Sequence, residues 1–223
     1  MSGRNWKIND NLEQVAQAIF NSWVDKCTDV TTIGDVTKNI LDYTTNRSNP
    51  IVLINSGDVH NGRFTHHTLS ENENLKGHFK KRFRKGDILY SEIRPRNKHF
   101  SFVSFEADKY IASTRLMVLR NDPDKIYQSI LYQHLKSDEV IEQFATMTET
   151  RSGTFPQGCF ADFASIKIAI SSLDKQYEIA KIIDDILVAV AKTDEESSCL
   201  AILRDSLLPK LMSGEIDVSQ VKI

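Results

Sequence analysis

Cysteine is scarce in this sequence and poorly spaced for chemistry: Cys27, Cys159 and Cys199 are odd in number, far apart, and without any Cys-x-x-Cys pair. That spacing points away from a disulfide framework or a zinc site and leaves three reduced thiols whose default role is packing. Long apolar runs are missing too, since none approaches the roughly 18 residues that span a bilayer. The polar opening "MSGRNWKINDN" has no signal-peptide core, so a cytoplasmic address is expected. Glycine and proline are few, at 9 and 5 residues, and net charge nearly cancels at −2. Low-complexity and disordered classes therefore drop out, and 223 residues with 40% hydrophobic content are enough to bury a real core.

Catalytic signatures are missing as well. The chain has no Gly-x-x-x-x-Gly-Lys phosphate loop, no Gly-x-Ser-x-Gly elbow, no His-Glu-x-x-His helix and no dinucleotide-type glycine cluster. Adenine methyltransferases hold their base with an Asn/Asp-Pro-Pro-aromatic motif, and the nearest string, "SNPIV", lacks the second proline and the aromatic. His66 and His67 are adjacent, so on a strand or turn they point apart, and no acidic or thiol cluster completes a metal site. No catalytic residue, metal or cofactor is assigned to the chain.

What is present starts with "NDNLEQVAQAIFNSW". Leu12, Ala16, Ile19 and Trp23 recur at helical spacing, with Asp10 and Glu13 as a capping-box-like start. From about residue 30 the pattern turns to short β-type runs, "IVLIN", "DILYSEI", "FSFVSFE" and "STRLMVLR", separated by turn chemistry. "DPDKIYQSILYQHLKSDEVIEQFATM" predicts two helices split near Ser137 and Asp138, with Pro123 in a first helical turn. "TETRSGTFPQGCF" is a polar loop and "ASIKIAI" one more strand. The middle of the chain is thus an α+β domain.

The last segment carries a 4-3 apolar repeat through Ile179, Ile183, Ile186, Val190, Thr193, Ser197, Leu200, Arg204, Leu207 and Leu211. This is the seam of a coiled-coil-type helix, about 40 residues and roughly 60 Å long. Its centre, Thr193 to Ser198, is polar: a register-fixing break, a kink, and the turn of a helical hairpin are all compatible with it. Pro209 removes a backbone donor near the end, and "MSG" supplies a glycine stop.

Charge separates along these pieces. Residues 78 to 99, "HFKKRFRKGDILYSEIRPRNKH", hold eight lysines and arginines against two carboxylates, whereas Asp174 to Asp217 hold ten carboxylates against five basic residues. Lys80, Lys81, Arg82, Arg84 and Lys85 interleave with Phe79, Phe83 and Tyr90, a mixture suited to phosphate contact over apolar anchors. A solvated surface run is the plainer alternative. Arg94, Arg96, Asn97, Lys98 and His99 fall in a loop between strands, and their forks and amides match guanine and adenine edges. Arg151, Ser152 and Thr154 add phosphate donors, and Arg63 and His67 complete the DNA-binding candidates.

Several of these stretches together resemble a known family. "KGDILYSEIRP", "TRSGTFPQGCFADFASIKIAI", "LDKQYEIAKIID" and above all "LRDSLLPKLMSGEIDV" are similar to a target recognition domain and the following conserved helical region of the specificity subunit of type I restriction-modification systems. "NDNLEQVAQAIFNSWVDK" resembles the helix that precedes the second recognition domain there. The resemblance implies an N-terminal helix over 1–28, a recognition domain over 29–172, and a long C-terminal helix over 173–223. It also implies a non-catalytic subunit that reads double-stranded DNA and docks methyltransferase subunits and, for cleavage, restriction subunits. S-adenosylmethionine would be bound by the methyltransferase, not by this chain.

Family members carry two recognition domains, and this chain holds one, so it is expected to be half a subunit. Pairing of two copies through Ile179, Ile183, Ile186, Val190, Leu200, Leu207 and Leu211 would recreate the two-domain arrangement with true symmetry. Such a homodimer would read an interrupted palindrome with a gap under about two turns of DNA. The helix at residues 10 to 24 would pack beside the long helix of its own chain or its partner. A helix-mediated protein scaffold and a catalytic methyltransferase or nuclease fragment are the competing readings.

Overall fold

The computed structural model describes residues 3–43, 50–65, 67–69, 78–151 and 157–215. A 22-residue helix, α1 (Gly3–Val24), leads into β1 (Asp29–Thr32), the one-turn helix α2 (Ile33–Val36) and β2 (Thr37–Asn39). Short strands follow: β3 (Val52–Ile54), β4 (Val59–His60), β5 (Arg63–Phe64), β6 (Phe79–Lys81), β7 (Ile88–Ser91), β8 (Phe100–Phe102), β9 (Tyr110–Ser113) and β10 (Leu116–Asn121). Then come α3 (Gln128–Leu135), α4 (Asp138–Arg151), α5 (Phe160–Ala164), β11 (Lys167–Ile170) and the 40-residue α6 (Leu173–Met212). The fold is the mixed α+β domain with a long trailing helix that the patterning predicts.

Two sheets divide the core. β2, β10, β7 and β8 form an antiparallel sheet in that order, and β3, β9 and β6 form a second, mixed one. Strand alternation explains why residues 88–90 of β7 and 116–119 of β10 are apolar without a break. Ile88, Tyr90, Met117 and Leu119 face the helices, while Leu89, Leu116 and Val118 face the smaller core with Val52, Ile54 and Phe83. A strand buried on both faces loses the polar half of its pattern. β1 pairs antiparallel with β11, closing the domain where α1 and α6 leave it.

Residues α1 and α6 share decide how much of the predicted seam is free. Asn9 Nδ2 donates to Val190 O at 3.3 Å and to Asp194 Oδ1 at 2.7 Å. At the other end of α1, Ile19 and Trp23 lie beside Ile179. The two helices are therefore antiparallel, and α1 covers the first part of α6 of its own chain. Ile183 and Val190 are buried there with Phe20, Ile130, Tyr132 and Leu187.

This corrects the reading of Ile183 and Val190 as dimerisation residues, because intrachain packing already removes them from solvent; Ile179 and Ile186 are half-buried at the same face. The hairpin reading of Thr193–Ser198 is also overturned, since α6 runs unbroken through it. The polar centre has partners of its own: Asp194 takes the Asn9 amide, and Ser197 is buried. Beyond it the apolar side chains of α6 are exposed among the described residues. Of the exposed large hydrophobics on α6, three precede residue 190 and seven (Leu200, Ile202, Leu203, Leu207, Leu208, Leu211 and Met212) follow Ser197.

Other expectations need correction too. Asp10 and Glu13 do not start α1, which begins at Gly3; mid-helix they pair instead with Arg63 at 2.9 Å and Lys136 at 2.5 Å, fastening α1 to the domain. Pro123 lies in a turn, and its helix begins only at Gln128. "STRLMVLR" is not one strand but the end of β9, a turn at Thr114–Arg115, and β10.

One buried titratable group makes a solution prediction. His134 on α3 stacks edge-on against Phe20 with centroids 4.6 Å apart, and burial holds its pKa down to about 4 from 6.5 despite a hydrogen bond to the Ala169 backbone. The unfolded chain thus takes up this proton near pH 6.5 and the folded chain only near 4, so this contribution is complete above pH 6.5 and declines as pH falls between the two. Urea titrations at pH 7 and pH 5 should show His134→Gln losing about 2 kcal/mol less than the parent over that step.

Candidate nucleic-acid interface

Extended backbone sorts the basic block by alternation. Phe79, Lys81 and Phe83 point inward and are buried, while Lys80, Arg82 and Arg84 are exposed on the opposite side. Gly86, at φ +90°, turns the chain after them, with Lys85 3.5 Å from Glu106. The outward row Lys80, Arg82, Arg84 is a continuous cationic edge over an apolar base, as the interleaving predicts.

Lys81 does not belong to that edge. Its side chain is only 4% exposed, and Nζ donates to Thr114 O at 2.9 Å and Leu116 O at 2.7 Å, with Glu92 Oε1 at 3.9 Å. Inward register therefore makes it a structural lysine rather than a phosphate contact. Burial lowers its pKa and raises that of Glu92, each working against the mutual attraction of the pair.

Asp87, next along the chain, is fully buried and takes a two-pronged ion pair from Arg120. Nε lies 2.7 Å from Oδ1 and Nη2 2.8 Å from Oδ2, while the Arg84 backbone N–H donates to Oδ2 at 2.9 Å. This contact anchors the root of the cationic edge to β10. The carboxylate in turn pushes the pKa of Arg120 up.

The second basic group is differently engaged. Arg94 and Lys98 adopt left-handed backbone, φ +47° and +53°, on either side of a 3-10 turn at Pro95–Asn97. Arg96 pairs with Glu142 at 2.9 Å and with Glu149, and Lys98 pairs with Asp138 at 2.9 Å, all three carboxylates standing on α4. His99 Nδ1 lies 2.8 Å from Val59 O, and Asn97 is exposed. The loop expected to meet bases thus presents Arg94 and Asn97 outward but docks Arg96 and Lys98 on the acidic face of α4. These pairs are exposed and screened by water, so they set orientation more than stability.

Arg63 and His67 lie elsewhere, along a cleft of about 520 Å³ between the domain and α6. Arg63 is held by Asp10, and His67 Nδ1 is 2.9 Å from the Tyr110 hydroxyl beside Phe64 and Phe105. Arg151 ends α4, where only its backbone is described, and Ser152, Thr154 and His66 lie outside the described residues. Among the described residues no group of three or more His, Cys, Asp or Glu comes together as a metal site, and no helix is long and apolar enough to cross a membrane.

A corner of the domain went unread in the sequence. The Tyr43 backbone bridges to Lys81, Thr114 N donates to His78 O at 2.8 Å, and Glu92 N donates to Arg115 O at 3.0 Å. Ile93 bridges to Gln157, whose side chain hydrogen-bonds Glu92, and Gly158 N donates to Glu92 O at 2.9 Å. Arg115 and Gln157 are both exposed there. Neither stood out, because Arg115 sits inside a strand-like string and Gln157 inside a polar loop.

Comparison with known proteins brings these pieces under one description. The family model described as type I restriction modification DNA specificity domain matches residues 24–196. The specificity subunit of the type I restriction enzyme HindI from Haemophilus influenzae is 40% identical over 154 residues, which is 68% of this chain and 33% of that protein. Among solved structures, a chain of a type I R-M system complex superposes with a TM-score of 0.61 at 18% identity, covering 89% of this chain and 52% of its own length. The HsdS subunit from Thermoanaerobacter tengcongensis gives 0.59 at 18% identity over 87% and 51%. The S subunit of a type I restriction-modification system from M. genitalium gives 0.56 at 15% identity over 93% and 54%. The chain thus spans about half the length of these structures and a third of the curated relative.

Proposed function

Since the chain belongs to the type I restriction modification DNA specificity family, we propose that it is a sequence reader for double-stranded DNA that directs methyltransferase subunits to adenine, and restriction subunits where cleavage follows. The observation that carries this reading is the extent of the match: residues 24–196 include the whole globular domain and the part of α6 on which that domain rests. The row Lys80, Arg82, Arg84 and the outward Arg94 and Asn97 supply phosphate and base donors. In this proposal the chain does no chemistry. Methyl transfer from S-adenosylmethionine belongs to the methyltransferase partner, and the setting is the cytoplasm.

A homodimer completes the reader. With α1 covering the first part of α6, the segment left exposed among the described residues is Leu200–Met212, and two such segments crossing antiparallel would bury each other's leucines. From the middle of the domain-bearing stretch to the middle of the free stretch is about 20 residues, so two domain centres would stand about 60 Å apart, under two turns of DNA. The expected site is therefore an interrupted palindrome. Co-expression with a methyltransferase subunit and mapping of methyladenine should return such a site. Duplex affinity of the chain should fall steeply with salt as counterions are released. Duplex binding that ignores salt, or no binding with the methyltransferase present, would favour a protein scaffold instead.

A further inference from the structure

The buried lysine and the turn it holds have no place in the reading above. β9 and β10 lie in different sheets, and the chain crosses between them in the two residues Thr114 and Arg115. Every carbonyl from 114 to 116 is claimed. Lys81 Nζ takes Thr114 O and Leu116 O, and the Glu92 N–H takes Arg115 O; the Thr114 N–H in turn donates to His78 O. A turn on the surface can leave its carbonyls to water at little cost, whereas desolvating an ammonium is expensive. Four fixed contacts over the three residues 114–116 make this turn far more rigid than a two-residue connection requires.

Rigidity of this kind serves the side chain that the turn displays. Arg115 is exposed at its tip, above the Glu92 carboxylate whose charge its guanidinium favours, and Gln157 donates to the same carboxylate. Arginine and glutamine are the side chains whose forks match guanine O6/N7 and adenine N6/N7 in the major groove. A guanidinium held on a fixed turn loses less freedom on docking than one on a mobile loop.

Building on the DNA-reading proposal, we infer that Arg115 is a specificity-determining residue that reads a guanine edge in the half-site, and that Lys81 is the positioning residue that holds its turn. Gln157, on the shared carboxylate, faces the neighbouring base pair. The acidic-paired Arg96 and Lys98 are then orienting groups at a different face, and the sequence of the half-site is read chiefly at this corner.

Selection of the full chain against a pool of randomised duplex DNA, followed by titration of the enriched duplex and each of its single-base-pair variants, tests this. Arg115→Ala should flatten the preference at one G·C pair of each half-site by roughly ten- to a hundred-fold while leaving the other positions unchanged. Its thermal melt should match the parent. Lys81→Met should weaken discrimination at that same pair in a protein that still melts cooperatively. An Arg115→Ala variant that selects the parental consensus with parental affinity overturns the inference. So does a loss that is uniform across sequences with a salt slope smaller by about one, which marks a phosphate contact. A lower melt for Lys81→Met with the consensus intact removes its positioning role. If the parent chain itself enriches no sequence, the failure lies with the DNA-reading proposal.

Discussion

Replacing Leu200 and Leu207 together by glutamate should convert the proposed dimer to a monomer while leaving the fold of each chain intact, with Tm falling only by the concentration-dependent share that dimerisation supplied. Both side chains are exposed in the single chain, so the substitution removes nothing from the folded core. In a dimer each would meet its partner's leucine-rich end, and glutamate there would place unpaired charge in an apolar seam. Light scattering at micromolar concentration should report the mass change directly. Affinity for a two-half-site duplex should fall by roughly 10²–10⁴-fold, because the second half-site then binds as an independent event, while affinity for an isolated half-site should stay the same. A parent chain that is monomeric under these conditions would count against the dimer. Full-length DNA affinity retained by a monomeric variant would count against the two-half-site reading.

Asp87→Ala is expected to have the largest effect on stability. The carboxylate lies fully buried between the Arg120 guanidinium and the Arg84 backbone N–H, and its removal strands both donors. Breaking a buried pair from one side costs about 3–5 kcal/mol. The Arg120 side chain, at 28% exposure, can turn partly to water, which places the expected loss near the lower end, about 3 kcal/mol. For a chain of this size that is a fall of roughly 6–12 °C in Tm, measurable by calorimetry. Replacing Asp87 and Arg120 together by apolar residues of similar volume should recover much of the loss, because an ion pair removed as a unit leaves no orphan.

Elements whose periodicity does the work were readable directly. α6 announced itself by its 4-3 repeat, α3 and α4 by their apolar spacing and the Ser137–Asp138 break, and β7 and β8 by β-branched and aromatic runs. Pairing partners were not readable, because they depend on which elements meet. The polar centre of α6 looked like an interruption only as long as Asn9 was not known to lie against Val190 and Asp194. Lys81 read as one cation among several because its inward direction follows from the register of β6, which composition does not reveal. Arg115 was hidden in an apparent strand, since Thr114–Arg115 makes a turn without glycine, proline or asparagine, and carbonyl contacts from distant residues replace local turn chemistry. Under the proposed reading the outward row Lys80, Arg82, Arg84 remains the candidate phosphate edge, and the inference drawn for Arg115 would move the weight of base reading from Arg96–Lys98 to that corner.

The pairing of α1 with α6 also governs when the molecule can finish forming. Asn9 and Asp194 are 185 residues apart in sequence. At about 5–20 residues per second, a ribosome needs roughly 10–40 s to deliver the second after the first. For that interval Ala16 and Phe20, both buried in the finished fold, have no long helix to cover them. Until α6 emerges, the α1 ridge lacks part of its cover, and its docking is a long-range closure with the slow kinetics that high contact order imposes.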